Sequence, residues 1–586
     1  MLKSSYVLPF VSFVFILTGI GLSIVSNIVF AQSLFMIVFG IAWLYMLKFR
    51  SKITQIPRQL GLLFLLCLIG SILLIFFSAD RANSIITLLL SISYALIFFS
   101  VQQVDKTQLA KSIVRFLHIV AIGFTAIWVV RLLLGSSIPL WLTSQEVMNF
   151  AQIRNGHNSL GHITSLLAVY WYIRMIKKYS KKNFMLFLLW TGITIATFSR
   201  TAYLAVMAAI LLHLLLERKR FSRTWRNWIF PLGIALSTLT VLFFATTLES
   251  KNIPVIGNFH SMLIDQTGLP RKTFFAGRIT YIQQSLRALQ ERPLTGFGGG
   301  NFMFVSAKYT DQYNSETASS HNLIFDMLAE YGLVVGILFI TLFFFLAATI
   351  IRSRNESVAG PYSKPFFYLF TVLIINSCFD LVFTTPHYAF MAIVISGILY
   401  HAKKVHTVPS VIPNTVAFLI VMASVWILIP QIGVTLIRNK HIPHWPLPFP
   451  LQSEAHISLI NHSVRKGLYK DQINQIRFFE LLHPENPSAL LSLSYVQTER
   501  YKFSEANALY NQFLELDSLP TVFAVETVYN FKKEHVGKEE ARNVLVNYVE
   551  KMKKQKGLWY ILSQDEKKTL LALCKETEIP CPAEIY

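Results

Sequence analysis

Charged side chains are scarce in this chain. Asp, Glu, Lys and Arg make up 14% of its 586 residues, whereas 53% are hydrophobic and the mean hydropathy is +0.49. Soluble globular domains carry about 25% charged residues, so the composition excludes an ordinary soluble protein. It predicts a protein that crosses a membrane several times.

Acidic residues are the scarcest charged type in most of the chain. Residues 1–450 hold 13 Asp or Glu against 36 Lys or Arg, whereas residues 451–586 are balanced at 18 against 17. The net charge of +22 therefore comes from basic loops between apolar runs. Such loops mark the cytoplasmic side of a membrane protein, which explains the charge better than nucleic-acid binding does.

Cysteine is rare as well. The four residues Cys67, Cys378, Cys574 and Cys581 have no metal-ligand spacing, and we predict neither a bound metal nor a cofactor. Cys574 and Cys581 could form a disulfide if they lie outside the cell. The first apolar run lacks a small-residue cleavage site, so it is interpreted as a retained helix rather than a signal peptide.

Apolar runs that suit a spanning helix of about 20 residues recur along residues 1–434, and they predict an all-α membrane bundle. Thirteen candidates lie near residues 6–26, 28–48, 59–78, 84–101, 113–134, 157–176, 183–199, 201–216, 228–247, 323–351, 365–383, 387–402 and 413–434. The run from 183 to 216 is divided into two helices with the turn at Ser199 and Arg200.

Basic loops orient this bundle. With a cytoplasmic N-terminus, all of them fall inside: 48–58, 174–182, 217–226, 352–364 and 401–406. The alternate loops, including the long one at 248–322, then lie outside. The odd number of crossings places the C-terminal region outside too.

The C-terminal region is predicted to be a separate soluble helical domain at 451–586, joined by a Pro-rich linker at 435–450. Proline fixes φ and cannot continue a helix, so the linker should be extended and semi-rigid. Glu505-Ala506 recurs as Glu540-Ala541, near the roughly 34-residue period of tetratricopeptide repeats. The region resembles such repeats in degenerate form, and an unrelated small helical bundle is the alternative.

Polar residues of interest fall on the predicted outer side. Arg154 and His157 precede the sixth apolar run, where they either cap a helix at the membrane boundary or bind a ligand. Arg200 interrupts an apolar stretch that has no Asp or Glu between Glu146 and Glu217. Its guanidinium either reaches the headgroups or binds a phosphate, whose oxygens match the planar fork.

The outer loop contains a predicted amphipathic helix and a glycine-rich turn. Arg278 begins the helix, which should end at Arg292-Pro293, and its apolar residues recur at helical spacing: Ile279, Ile282, Leu286 and Leu289. GFGGGNF at 296–302 follows and includes Asn301. Its backbone N–H groups could approach an anion, but it lacks the GK[ST] tail of a P-loop.

His321 and Asn322 stand where this loop re-enters the membrane. An imidazole can accept a proton near neutral pH, although a polar residue at a helix start is more often a cap. Glu330 lies inside the following apolar run, so it should be either paired or functional.

Four stretches together resemble the O-antigen ligase family, which includes O-antigen polymerases and bacterial O-linked oligosaccharyltransferases. They are SRTAYLA at 199–205, AGR at 276–278, RPLTGFGGGNF at 292–302 and SHNLIFDMLAEYGLVVG at 320–336. The resemblance covers about residues 150–400. It implies a GT-C-like, metal-independent glycosyltransferase in the bacterial inner membrane, which takes a glycan from an undecaprenyl diphosphate carrier on the extracytoplasmic face.

The resemblance also implies roles for individual residues. Arg200 and Arg278 would hold the diphosphate leaving group, and His321 would assist the attacking acceptor. Further substrate contacts are predicted for Arg154, His157, Asn301, Asn322 and Glu330. The acceptor would be a lipid, a glycan or a protein, and the repeat-like region would recruit it or serve as an inert spacer.

Two other functions stay open at this point. A polysaccharide polymerase would use the same donor with a second lipid-linked glycan as acceptor. A transporter or flippase is the alternative from another class, but transporters usually have repeated halves, and we find no such internal symmetry.

Overall fold

The structure is a computed structural model, which describes residues 36–37, 53–102, 104–134, 157–197, 199–217, 276–310, 317, 319–354, 356, 359–379, 386–401, 405–409, 411–438, 476, 478–554 and 562–581. These residues are helical apart from turns and one two-stranded antiparallel pair. The all-α prediction is therefore confirmed at the level of fold class.

The first group of elements comprises one strand and six helices. They are β1 (Ile53–Pro57), α1 (Arg58–Leu74), α2 (Arg81–Val101), α3 (Lys106–Leu134), α4 (His157–Lys177), α5 (Lys181–Ala196) and α6 (Arg200–Leu216). A 3-10 turn, Ile75–Phe77, follows α1. The predicted turn at Ser199 and Arg200 is confirmed, because α5 ends and α6 begins there.

The second group includes the outer loop and the helices after it. The elements are α7 (Ala276–Glu291), α8 (Phe302–Tyr309), α9 (Leu323–Arg352), α10 (Ser363–Phe379), α11 (Pro386–Leu399), β2 (Val405–Pro409) and α12 (Val411–Arg438). A 3-10 turn, Gly360–Tyr362, precedes α10. Helix α12 extends into the predicted linker, whose residues 439–450 lie outside the described ranges.

Within the described parts of the chain, three helical segments are long and apolar enough to cross a membrane: Arg58–Phe77, Arg81–Val101 and Leu323–Arg352. Shorter apolar helices are Thr201–Leu216, Ala389–Leu399 and Ile412–Ile427. The predicted spans at 6–26, 28–48 and 228–247 lie outside the described residues, apart from Met36 and Ile37. The count of thirteen spans therefore stays a prediction.

The strand pair joins two loops at one end of the spanning helices. β1 and β2 pair in antiparallel register from Ile53 opposite Pro409 to Pro57 opposite Val405. These strands belong to the predicted basic loops at 48–58 and 401–406. The pairing therefore holds these two segments together at the end of the molecule where α1 begins.

Helix α9 is kinked near its N-terminal end. Gly332 has φ of 67° and ψ of −173° inside the helix, a conformation that a residue with a side chain rarely adopts. A Cβ atom there would lie 2.6 Å from the carbonyl carbon of Leu294. The kink thus separates residues 323–331, which contact the outer loop, from the longer apolar part of the helix.

The last five helices form the C-terminal region: α13 (Pro487–Glu499), α14 (Phe503–Leu516), α15 (Val522–His535), α16 (Lys538–Lys553) and α17 (Gln564–Thr577). Consecutive helices pack as pairs, α13 with α14 and α15 with α16. Ala506 and Ala541 are fully buried in their cores, where small side chains permit close approach. The assignment to tetratricopeptide repeats stays a prediction.

A disulfide joins Cys574 at the end of α17 to Cys581, the pairing considered from the sequence. Both cysteines belong to the hydrophobic core around α16 and α17. The disulfide therefore fastens the last described residues to that core.

The C-terminal region is docked between the end of α1 and the start of α2 through a buried carboxylate. Asp80, 1% exposed, accepts the backbone N–H of Asn83 at 3.0 Å and so caps α2. Its second oxygen lies 2.7 Å from Nδ1 of His483 and accepts from Nδ2 of Asn486 at 2.8 Å. One carboxylate thus joins elements about 400 residues apart.

An ion pair beside Asp80 strengthens this dock. Nη2 of Arg292, just after α7, donates to both carboxylate oxygens of Glu485 at 2.7 and 2.6 Å. The backbone N–H of Glu485 donates to the Ala79 carbonyl at 2.9 Å, and Nη1 of Arg81 donates to the Leu481 carbonyl at 2.9 Å. We call residues 478–486 the docking segment.

A second contact lies further along the C-terminal region. Ser518 Oγ donates to the carbonyls of Ala307 and Thr310 at 3.0 and 2.8 Å, at the end of α8. Both ends of the 292–310 stretch are therefore fixed to the C-terminal region.

We predict that Asp80→Ala opens this dock. The substitution leaves the buried side chains of His483 and Asn486 without this acceptor, and an unsatisfied buried polar group costs about 1–3 kcal/mol. Hydrogen–deuterium exchange of the amides in residues 479–490 should accelerate by at least about tenfold. Asp105→Ala is the matched control, because Asp105 accepts the N–H groups of Thr107 and Gln108 at the start of α3. Equal exchange in the two variants would contradict the assignment.

Candidate active site

His321 occupies a strained position between the outer loop and α9. Its backbone has φ of 59°, which costs roughly 1–2 kcal/mol for a residue with a side chain. Its N–H donates to Ser319 Oγ at 3.0 Å. The imidazole stacks on the ring of Tyr281 from α7, with centroids 5.4 Å apart and planes inclined by 23°. The ring is therefore held against α7.

Asp326 fixes the loop that carries His321. Its carboxylate is buried and accepts Ser319 Oγ at 2.5 Å and the N–H of Ser320 at 2.6 Å. It also interacts electrostatically with His321. Because Ser319 in turn accepts from the His321 backbone, Asp326 supports the strained conformation through one intermediate side chain.

Asn322 caps α9 and ties it to a neighbouring helix. Its Oδ1 accepts the N–H groups of Ile324 and Phe325 at 3.0 and 3.4 Å, and its Nδ2 donates to the Cys378 carbonyl of α10 at 2.9 Å. The capping alternative considered for this position is thus observed. Its predicted contact with substrate stays a prediction.

Arg278 lies in the first turn of α7, one turn before Tyr281, and is half-buried. Burial raises the pKa of Tyr281, and the nearby positive charge of Arg278 opposes that rise. Arg278 is thus within electrostatic reach of the ring on which His321 stacks. The structure brings together two of the three predicted catalytic residues, with Tyr281 between them.

Helix α7 spans the predicted amphipathic segment, but its apolar side is not its buried side. Ile279 and Leu286 are 52% and 44% exposed, whereas Gln284, Ser285 and Ala288 are buried. A helix that turns apolar side chains outward beside spanning helices is suited to lie at the membrane surface.

The glycine-rich turn packs against the kink of α9 through backbone hydrogen bonds. The N–H groups of Phe297 and Gly298 donate to the carbonyls of Ala329 and Glu330 at 3.0 and 2.7 Å. The N–H of Leu333 donates to the Pro293 carbonyl at 2.7 Å. The turn therefore supplies partners for backbone groups that the kink releases from the helix.

The hydrogen-bond acceptor held by this turn is the carboxyl group of Glu330. Its Oε1 accepts the N–H of Phe302 at 3.2 Å, and the N–H groups of Gly300 and Asn301 bond to the same carboxylate. Successive backbone N–H groups form an anion-binding concavity. Glu330 is thus paired, as expected of an acidic residue in an apolar run. Its predicted substrate contact stays a prediction.

Asn301 is fully buried below the turn. Its Nδ2 donates to Ser78 Oγ at 2.7 Å and to the carbonyls of Phe297 and Asp80 at 2.9 and 3.1 Å. It therefore connects the glycine-rich turn with the Asp80 cap. This is a positioning role, and a direct substrate contact for Asn301 likewise stays a prediction.

Arg200 begins α6 behind a buried polar cluster. Ser199 Oγ caps the helix, lies 3.2 Å from Thr201 Oγ1, and packs beside Gly161, where a Cβ atom would come within 2.5 Å of the Ser199 Cβ. His162 Nε2 lies 3.1 Å from Thr201 Oγ1. The side chains of Arg200 and His157, and the whole of Arg154, lie outside the described structure, so their predicted roles are not tested.

Tyr281 and Asp326 were not singled out from the sequence. Both lie inside or beside the motifs that carried the resemblance, and Asp326 follows His321 by five residues at the start of an apolar run. An acidic residue at such a position signals function or pairing. For Tyr281 the only available signal was its place one turn after Arg278. Within the described ranges, no group of three or more His, Cys, Asp or Glu is arranged to hold a metal ion.

The apolar helices able to span a membrane define a membrane protein. A histidine, a tyrosine and an arginine lie together at the loop end of one of these helices and form a candidate acid–base site. The family model described as O-antigen ligase matches residues 184–340, a range that contains Arg200, Arg278 and His321. The resemblance to the O-antigen ligase superfamily is therefore confirmed over these residues. No curated protein matches the chain.

We predict that Glu330→Ala destabilises the protein, because three buried N–H groups lose their acceptor at about 1–3 kcal/mol each when unsatisfied. Glu330→Gln keeps an acceptor oxygen and should lose less. The measurement is thermal unfolding of the purified protein, with the exposed Glu499→Ala as control. If Glu330→Ala unfolds at the same temperature as that control, the carboxylate does not hold the turn.

Proposed function

We propose that this protein transfers an oligosaccharide or polysaccharide from an undecaprenyl diphosphate carrier to an acceptor on the extracytoplasmic face of the bacterial inner membrane. The observation that carries the proposal is the contact between His321 and Tyr281, which places an imidazole beside Arg278 at the outer loop. The family match supports glycan transfer at a membrane. The donor, the acceptor and the orientation are part of the proposal.

In this reaction an acceptor hydroxyl or amide attacks the anomeric carbon of the glycan as the bond from that carbon to the diphosphate oxygen breaks. His321 takes the proton of the acceptor. Negative charge develops on the departing diphosphate, and Arg278, together with Arg200, stabilises it. Preorganised guanidiniums can perform this role without a metal ion.

Asp326 and Tyr281 position the base rather than take part in bond making. Asp326 holds Ser319 and Ser320, and Tyr281 supports the face of the imidazole. A ring held in this way pays less entropy when the acceptor binds. The strain at His321 is thus maintained by its neighbours, as is typical of functional positions.

Two observations support an extracytoplasmic site. Arg58 and Arg352 lie together at the opposite end of the helices, and Lys and Arg favour the cytoplasmic side. The disulfide between Cys574 and Cys581 belongs to the region docked beside the outer loop, and disulfides persist in oxidising compartments. Both therefore favour the same orientation.

Replacement of Arg278 tests the leaving-group role. Arg278→Ala should lower transfer by about 100-fold or more, the typical cost of one charge-stabilising group. Arg287→Ala is the matched control, because Arg287 is exposed on the same helix and donates a 3.5 Å bond to the Tyr309 carbonyl, away from His321 and Tyr281. Transfer is measured in membranes with lipid-linked glycan. Equal activity of the two variants would remove Arg278 from the mechanism.

Replacement of His321 tests the base. His321→Ala should slow turnover by about 100-fold or more while the KM for the donor changes little, because the diphosphate contacts remain. Tyr281→Phe keeps the stacked ring and should retain most activity. Turnover by His321→Ala at the wild-type rate would show that His321 is not the base.

Analysis of a deletion strain identifies the acceptor class. Finished polymer that accumulates on the carrier indicates a ligase, single repeat units indicate a polymerase, and loss of glycosylated protein indicates an oligosaccharyltransferase. Wild-type levels of all three would contradict the glycan-transfer proposal itself.

A further inference from the structure

A cleft of about 420 Å³ lies at the end of the spanning helices opposite His321. We call it the basal cleft. Ligand pockets commonly measure roughly 300–1,000 Å³. Its polar lining includes Arg58, Gln59, Arg352, Glu356 and His401.

The basal cleft is built from the ends of two packed spanning helices. Arg58 is the first residue of α1, and Arg352 is the last residue of α9. The β1–β2 pair holds the segments that precede α1 and follow α11. The two guanidiniums are thus brought to one cleft by helices that run in opposite directions.

Neither guanidinium of the basal cleft forms a hydrogen bond or an ion pair with a described residue. A nearby cation behaves differently: Lys106 donates to the Tyr400 carbonyl at 2.5 Å and to Gln102 at 3.1 Å. Arg58 and Arg352 are both exposed. Their donors are therefore available to a ligand, whereas those of Lys106 are occupied.

The charge and shape of the basal cleft favour an anionic amphiphile. The lining holds two arginines and one carboxylate, Glu356, and therefore carries net positive charge. Phe345, two helical turns before Arg352, forms an apolar wall of the same cleft. The neighbouring surface continues apolar, with Leu62 and Phe344 58% and 54% exposed. A free phosphate would use the arginines alone, whereas a phospholipid would also cover this apolar surface.

We propose that the basal cleft binds the phosphate of an anionic phospholipid headgroup. The planar guanidinium fork matches phosphate oxygens, and basic pockets between spanning helices on the cytoplasmic side suit such headgroups. The acyl chains would lie along the exposed apolar faces of α1 and α9. This site is separate from the proposed transfer reaction and does not rest on it.

Titration of the purified full-length protein tests the proposal with three probes: dihexanoyl phosphatidylglycerol, glycerol phosphate and inorganic phosphate. The lipid should bind the wild type at least about tenfold more tightly than either soluble phosphate. The double variant Arg58→Gln/Arg352→Gln should bind the lipid about tenfold more weakly than the wild type, since two charge-assisted contacts are lost. Either single variant should show a smaller loss.

The matched control is Lys178→Gln/Lys182→Gln, which removes two exposed cations from another basic loop without touching the cleft. It should keep the wild-type affinity. Unfolding in phosphatidylcholine nanodiscs should occur at one temperature for all variants, which separates loss of binding from loss of folding. Equal lipid affinity in both double variants would overturn the site, and equally tight binding of inorganic phosphate would overturn the lipid as its ligand.

Discussion

The buried carboxylate of Asp80 is the contact on which the outer end of the molecule depends. The carboxylate caps α2 and forms hydrogen bonds with His483 and Asn486 of the docking segment. The backbone carbonyl of Asp80 accepts a hydrogen bond from Asn301 of the glycine-rich turn. A buried charge is stable only when it is paired and hydrogen-bonded. The membrane helices, the outer loop and the C-terminal region therefore share one electrostatic centre, and the C-terminal region is a fixed part of the wall beside the candidate site.

The glycine-rich turn has the chemistry predicted from its motif, but its binding partner belongs to the protein itself. A concavity of backbone N–H groups does hold an acidic group, but that group is the carboxyl of Glu330 from the kinked helix. Negative charge from a substrate is then left to the arginines. The turn and Glu330 instead set the distance between α7 and the start of α9, and this distance brings Tyr281 to His321.

Hydropathy and helical spacing predicted the helices, the end of α7 at Arg292 and the division at Ser199, because these depend on local sequence. The motifs also predicted His321 and Arg278 as site residues. The contact between Asp80 and His483 could not be predicted from the sequence, because the two residues are far apart in the chain. Each also lies in a stretch whose composition resembles that of an ordinary surface loop. The exposure of the apolar side of α7 could not be predicted either. Residue spacing shows that a helix has an apolar face, but it does not show whether that face packs against protein or against lipid. Asp326 is local, yet its role became visible only when its bonds to Ser319 and Ser320 were known.

The position of the docking segment in the chain has a consequence for biosynthesis. Residue 80 leaves the ribosome long before residue 483, so the spanning helices insert while the partners of Asp80 and Arg292 do not yet exist. Assembly of this end of the molecule must therefore be a late event, completed only after the C-terminal region has been synthesised. A chain that stops before residue 478 would retain its spanning helices but leave both charges without their partners, and quality-control proteases would meet an insertion-competent protein with an unfinished outer end.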